Sequence, residues 1–167
     1  MGLLRSEEAA VGQPFLNIVL VEPEIPQNTG NIARTCACVG ARLHLVEPMG
    51  FRLSERNLKR AGCDYWDDVE IVQWASISAF LRAHDADELH FFTGHASKGY
   101  ADVSYSAGSF LLFGRESRGL DQEVMDAYAD ACVRIPMRRD ERSLNLSNAV
   151  AIASYEALRQ AGFPNLL

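Results

Sequence analysis

Residues 15–39, FLNIVLVEPEIPQNTGNIARTCACV, decide the fold class. Phe15 to Glu22 is an almost continuous apolar run, ended by Pro23 and Pro26. That is the pattern of a strand buried on both faces rather than one. From Asn28 to Val39 the period changes, and Ile32, Ala33, Cys36 and Val39 recur as one side of a helix. A doubly buried strand feeding an amphipathic helix is the building unit of a parallel sheet covered by helices.

The same alternation continues along the chain. Arg42 to Val46 reads as a strand, Ser54 to Ala61 as a short basic helix, Val69 to Gln73 as a strand and Ser76 to His84 as a helix. Glu88 to Thr93 and Ser109 to Phe113 are two more buried strands, separated by a Gly-, Ser- and Lys-containing loop over Gly94 to Ser106. A short helix near Gln122 to Tyr128 precedes a strand at Cys132 to Ile135. A last helix, Ser147 to Ala161, stops at Gly162 and Pro164. Five or six parallel strands with intervening helices predict a doubly wound α/β fold: a single domain with a mostly parallel sheet flanked by helices. Residues 1–15 read as a flexible N-terminal extension, leaving 16–167 as the domain.

Composition excludes several classes. With 167 residues, 48% of them hydrophobic and 23% charged, the chain suits one ordinary globular domain. No apolar run approaches a membrane span, and MGLLRSEEAAVGQPF lacks the apolar core and cleavage site of a secretory signal. Cys36, Cys38, Cys63 and Cys132 are not spaced as a paired metal site. Cys36 and Cys38 point to different faces of a helix, and His44, His84, His90 and His95 are scattered, so no metal and reduced thiols in a cytoplasmic protein are expected. The formal charge of −6 argues against general coating of nucleic acid. Two local basic patches remain: Arg52, Arg56, Lys59 and Arg60 at helical spacing, and Arg138, Arg139 and Arg142. Each alone reads as a solvated face; together they favour an anionic partner.

Ligands of such sheets bind outside the carboxyl ends of the strands, and three polar or glycine-bearing segments fall there. In the first, Gln27 to Arg34, Asn28 or Thr29 can cap a helix whose free N–H groups attract an anion, and Asn31 and Arg34 share a face. By itself, a capped helix with a surface arginine is the better reading of this segment. In the second, FGRESRGL over Phe113 to Leu120, Gly114 permits close approach to the backbone and Glu116 accepts hydrogen bonds; a tight turn is the plain alternative. It is neither a GxSxG elbow nor a phosphate loop. In the third, SLNLSN over Ser143 to Asn148, Ser147 is the expected N-cap, and Asn148, Ile152 and Tyr155 share a stripe. The small residues Ala149, Ala151, Ala153 and Ser154 leave that helix thin, for core packing or for a dimer.

Taken in order, EPEIPQNTGNIAR, HLVEPMGF, RAGCDYW, LLFGRESRGL and RSLNLSNAVAIASYE resemble the SPOUT class of S-adenosylmethionine-dependent RNA methyltransferases. The closer resemblance is to the family of tRNA (cytidine/uridine) 2′-O-methyltransferases that modify the wobble nucleotide, and it runs from about Leu16 to Pro164. It implies a C-terminal deep trefoil knot, a homodimer whose sites use both chains, and binding of the tRNA anticodon region. It also implies a cofactor site at Phe92, Thr93, Gly114, Glu116, Ile135, Met137, Ser143 and Leu144. Arg34 and Tyr155 are the implied catalytic candidates. Asn28, Asn31, Arg34, Arg52, Arg56, Lys59, Arg138, Arg139 and Asn148 are the expected RNA contacts. A ribosomal-RNA methyltransferase of the same class, or an RNA-binding protein keeping the knot without the chemistry, are the alternatives.

Overall fold

The computed structural model describes residues 4–5, 14–52 and 68–167. Its strands are β1 (Leu4–Arg5), β2 (Leu16–Val21), β3 (Arg42–Val46), β4 (Ile71–Trp74), β5 (Leu89–Phe92), β6 (Ser109–Phe113) and β7 (Cys132–Val133). Its α-helices, among the described residues, are α1 (Pro26–Val39), α2 (Ile77–Ala83), α3 (Gln122–Ala127) and α4 (Leu146–Gln160). The strands form one sheet in the order β1-β4-β3-β2-β6-β5-β7, and every pair is parallel. The α/β reading therefore holds. Within the expected N-terminal extension, Leu4 and Arg5 pair with Val72 and Gln73 at the sheet edge. The expected basic helix over Ser54 to Ala61, with Arg56, Lys59 and Arg60, lies outside the described residues.

Strand β2 sits centrally, between β3 and β6, and all six of its residues are buried. Its side chains alternate between two cores, as the pleat requires. Leu16, Ile18 and Leu20 face one core with Ile32, Ala33 and Cys36 of α1 and Val150, Ala153, Ala157 and Leu158 of α4. Val19 and Val21 face the other, with Phe80 of α2, Phe91, Phe110 and Leu112. Burying each such aliphatic side chain contributes roughly 1.5–3 kcal/mol, so the continuous apolar run is what a two-sided core demands. The small residues Ala153, Ser154 and Ala157 are buried. Helix α4 thus packs its thin side toward the core beside α1 and leaves Asn148, Ile152 and Tyr155 outside.

One polar chain crosses the second core. The Trp74 indole donates to His44 Nδ1 at 3.0 Å, His44 Nε2 lies 3.2 Å from Asn17 Oδ1, and Asn17 Nδ2 donates to the Gly108 carbonyl at 3.0 Å. Because an indole N–H only donates, His44 accepts at Nδ1 and carries its proton on Nε2. Burial, then the nearby His84 and Arg42, push its imidazole down to about 3.

Helix starts differ from the sequence reading. Helix α1 begins at Pro26 rather than Asn28; Ile25 is its N-cap without a side-chain cap, and a proline suits the first turn because no N–H is needed there. Helix α4 is capped by Asn145, not Ser147: Asn145 Oδ1 accepts from the Ser147 and Asn148 N–H groups at 3.0 and 3.4 Å and from the Ser147 hydroxyl at 2.7 Å. Strand β7 ends at Val133, two residues earlier than read, because Arg134 leaves the sheet to pair with Gly99.

Candidate functional site

The strand order reverses direction between β2 and β6, so the loops leaving their carboxyl ends open a crevice between them. A cleft of about 1210 Å³ lies there. Four segments wall it: Ile25 and Asn28 after β2, Phe92 to His95 after β5, Phe113 to Leu120 after β6, and Arg134 to Leu146 after β7. All eight residues expected around a cofactor, namely Phe92, Thr93, Gly114, Glu116, Ile135, Met137, Ser143 and Leu144, line this one cleft.

The turn after β6 is held by its own backbone. Arg115 N–H donates to the Gly119 carbonyl at 3.1 Å and Gly119 N–H returns to the Arg115 carbonyl at 2.8 Å. Gly119 adopts φ +72°, and a Cβ on Gly114 would sit 2.1 Å from the Gly119 carbonyl carbon and 2.2 Å from the Leu120 nitrogen. The close approach that makes glycine necessary at position 114 is therefore the chain's own strand-to-turn contact. Arg115, 9% exposed in its side chain, pairs with Glu22 and with Asp121, whose Oδ1 lies 2.7 Å from Nη1. These partners, Asp121 first, raise the Arg115 guanidinium above its usual range, and the reciprocal contact holds the Asp121 carboxyl low.

Glu116 ties the turn to the start of α1. One oxygen accepts from the Glu24 N–H at 2.8 Å; the other accepts from the Ile25 N–H at 3.2 Å and from Asn28 Nδ2 at 3.1 Å. Asn28 Oδ1 in turn accepts from Asn145 Nδ2 at 3.0 Å. In the opposite direction the Glu24 carboxylate accepts from the Ser117 hydroxyl and N–H, both at 2.9 Å, and these bonds hold Glu24 below the usual carboxylate range. The anion expected at the α1 entrance is thus the chain's own Glu116. Its carboxylate has about four acceptor positions, three of them filled from within the protein.

The residues expected against RNA or in catalysis are divided between the cleft and the outer surface. Asn28, expected against RNA, is 7% exposed and its amide joins Glu116 to Asn145. Asn31 and Arg34 on α1 and Asn148 and Tyr155 on α4 are exposed and do not line the cleft. Arg138 and Arg139 do line it, whereas Arg52 lies outside. Sequence reasoning missed Asn145, Arg118 and Arg134. The signal for Asn145 was present in SLNLSN, two residues before Ser147, where either residue type can cap.

Among the described residues there is no cluster of three His, Cys, Asp or Glu side chains that could hold a metal, and no helix is long and apolar enough to cross a membrane. The walls suit an organic group with one apolar and one polar end. Phe92, Ile135, Met137 and Leu144 give apolar surface, and Thr93, Ser143 and the backbone of the turn give hydrogen-bonding partners.

The comparisons agree with this architecture. The chain is 49% identical over 151 residues to the tRNA (cytidine(34)-2′-O)-methyltransferase of Escherichia coli K12, covering 90% of this chain and 96% of that one. A solved structure described as giving insights into the 2′-OH methylation of C/U34 on tRNA superposes with a TM-score of 0.84 at 45% identity, covering 90% of this chain and 99% of the other. The SpoU methyltransferase AviRb of Streptomyces viridochromogenes, solved with the cofactor AdoMet, superposes with a TM-score of 0.78 at 25% identity, over 91% of this chain and 60% of its own. Residues 15–155 match the model of the SpoU rRNA methylase family. With the match spanning β2 to β7, the three motif loops and most of α4, the chain belongs to the SpoU rRNA methylase family.

Proposed function

We propose that this chain is a tRNA 2′-O-methyltransferase that uses S-adenosylmethionine to methylate the ribose of the wobble cytidine or uridine. The observation that carries the proposal is the near full-length likeness to the Escherichia coli tRNA (cytidine(34)-2′-O)-methyltransferase. The cleft supports it with a set of walls that fits the cofactor: Phe92, Ile135, Met137 and Leu144 against the adenine, and Thr93, Ser143 and the turn backbone for its polar edge. Glu116, with one acceptor position left, can take a ribose hydroxyl.

Bound there, S-adenosylmethionine supplies a methyl group activated by its positive sulfur. The work left to the chain is orientation, which can supply much of the acceleration when nucleophile and methyl are held in line. A guanidinium keeps its proton at physiological pH, so Arg34 is read as positioning a phosphate and stabilising negative charge on the ribose oxygen rather than as a base. The Tyr155 hydroxyl is the candidate for moving the nucleophile's proton. Asn31, Arg52, Arg138, Arg139 and Asn148 are read as RNA contacts, as are Arg56 and Lys59, which lie outside the described residues.

Arg34 and Tyr155 lie on the exposed side of α1 and α4, away from the chain's own cleft. Tyr155 is 49% exposed, Ile152 on the same helix is 38% exposed, and Phe163, whose ring lies 6.5 Å from that of Tyr155, is 41% exposed. Exposed apolar side chains around Tyr155 support a homodimer whose sites combine the cleft of one chain with helices of the other. The path of residues 134–146 past the turn after β6, with α4 returning beside α1, supports a C-terminal trefoil knot in a single domain over 16–167. A tRNA substrate suits a cytoplasmic location. Incubation with methyl-labelled cofactor and total tRNA, followed by nucleoside mapping, tests the reading. Label in a 2′-O-methylated wobble cytidine or uridine is expected; label at another nucleotide, or none, overturns it.

A further inference from the structure

Six arginines line the cleft, against two glutamates, Glu116 and Glu141. Arg115 is neutralised by Glu22 and Asp121. The other five, Arg118, Arg134, Arg138, Arg139 and Arg142, are exposed, and none has a described carboxylate within 4 Å. They come from two segments, one before α3 and one after β7, that border the same cleft. We propose that Arg118 and Arg134, with the arginines of residues 138–142, form a phosphate-binding rim. The rim would hold the RNA strand on either side of the nucleotide whose ribose enters the cleft. The inference rests on the RNA methyltransferase reading and adds to it the residues that grip the backbone.

Two features separate this rim from an ordinary solvated face. Its members start from fixed backbone: Arg134 N–H donates to the Lys98 carbonyl at 3.0 Å while its carbonyl accepts from Tyr100 at 2.9 Å, and Arg118 sits inside the doubly bonded turn of Arg115 and Gly119. A guanidinium fork held on fixed backbone loses less freedom on binding a phosphate. The rim is also a positive region on a chain of net charge −6. Screening over about 8 Å at physiological salt makes the local charge, not the total, decide what binds there. A single cofactor carboxylate needs one guanidinium; five around one opening match a run of phosphates.

The test is the salt dependence of binding of a fluorescent anticodon stem-loop to the full chain. Each single-strand phosphate contact contributes about 0.7 to the slope of log affinity against log salt. Arg118→Gln with Arg134→Gln should therefore flatten the slope by about 1.4. It should weaken binding severalfold or more at physiological salt and leave S-adenosylmethionine affinity, read by calorimetry, unchanged. Arg82→Gln, on α2 and away from the cleft, should leave the slope as it is. An unchanged slope in the double variant overturns the rim. So does a loss of cofactor affinity at constant slope, which would assign these arginines to the cofactor's carboxylate. If wild-type protein transfers no methyl group while the double variant shows the expected slope change, the enzyme reading falls and the rim stands.

Discussion

Asn28→Asp tests the link among the three loops with one atom changed. The amide nitrogen that donates to Glu116 at 3.1 Å becomes an oxygen, at a position 7% exposed. Two carboxylates at that distance repel by about 5 kcal/mol at an effective dielectric constant of about 20. The pair can escape by binding one proton, which restores an O–H donor to Glu116. Holding a carboxyl neutral at pH 7 costs about 1.4 kcal/mol per unit over nearly three units, so the deficit is capped at about 4 kcal/mol. The sign follows from the raised carboxyl pKa in the folded variant. The neutral form is free below the unfolded value near 4.3, and the deficit grows as pH rises above it. Urea unfolding of wild type and variant across pH 4.5 to 7.5 measures this. The gap should widen by up to about 1.4 kcal/mol per unit. For Asn28→Ala, which removes a charge-assisted and a neutral hydrogen bond, the gap should stay near 3 kcal/mol. A gap for Asn28→Asp that is the same at both ends of the range refutes the direct amide–carboxylate contact.

Other consequences are separable from this one. His44, pushed down to about 3 when folded, binds its proton only after unfolding between about pH 6.5 and 3, so stability should fall through that window as pH falls, by up to about 1.4 kcal/mol per unit. In His44→Phe the pH dependence of the urea midpoint should flatten, although the Trp74 N–H then lacks its acceptor; an unchanged slope would show that His44 is not the responsible group. Gly114→Ala would put a methyl 2.1 Å from the Gly119 carbonyl carbon, where only backbone movement gives relief, so a loss of about 3 kcal/mol or more and of cofactor binding is expected. A wild-type unfolding midpoint would contradict that packing. Ile152→Asp places a charge on the exposed face of α4. Sedimentation should report a shift from dimer to monomer with loss of methyl transfer, and unchanged sedimentation would remove this face from the dimer reading.

How much was legible depends on where each determinant sits. Strands β3 and β6 match their sequence readings, Arg42 to Val46 and Ser109 to Phe113, because an apolar run between polar residues is a local signal. The start of α1 was misplaced because the groups that organise it, the Glu116 oxygens, belong to a loop about ninety residues away in sequence. The cap of α4 was misplaced by a smaller ambiguity: Asn145 and Ser147 are both good caps, and the bond from Asn145 to Asn28 is long-range. The residues expected around a cofactor were named through family resemblance, and the fold gathers them into one cleft. Arg118 and Arg134 were passed over because a solvated arginine and a phosphate-binding one look alike until their two segments are seen to border one cleft.

Methyl transfer to two synthetic anticodon stem-loops, identical except for a single 2′-deoxy sugar at the wobble position, tests the central claim most directly. Labelled methyl should enter the all-ribose loop and be absent from the deoxy one, since the accepting oxygen has been removed and nothing else has changed. Equal labelling of both would place the methyl on a base or on another ribose, and would contradict wobble 2′-O-methylation by this chain.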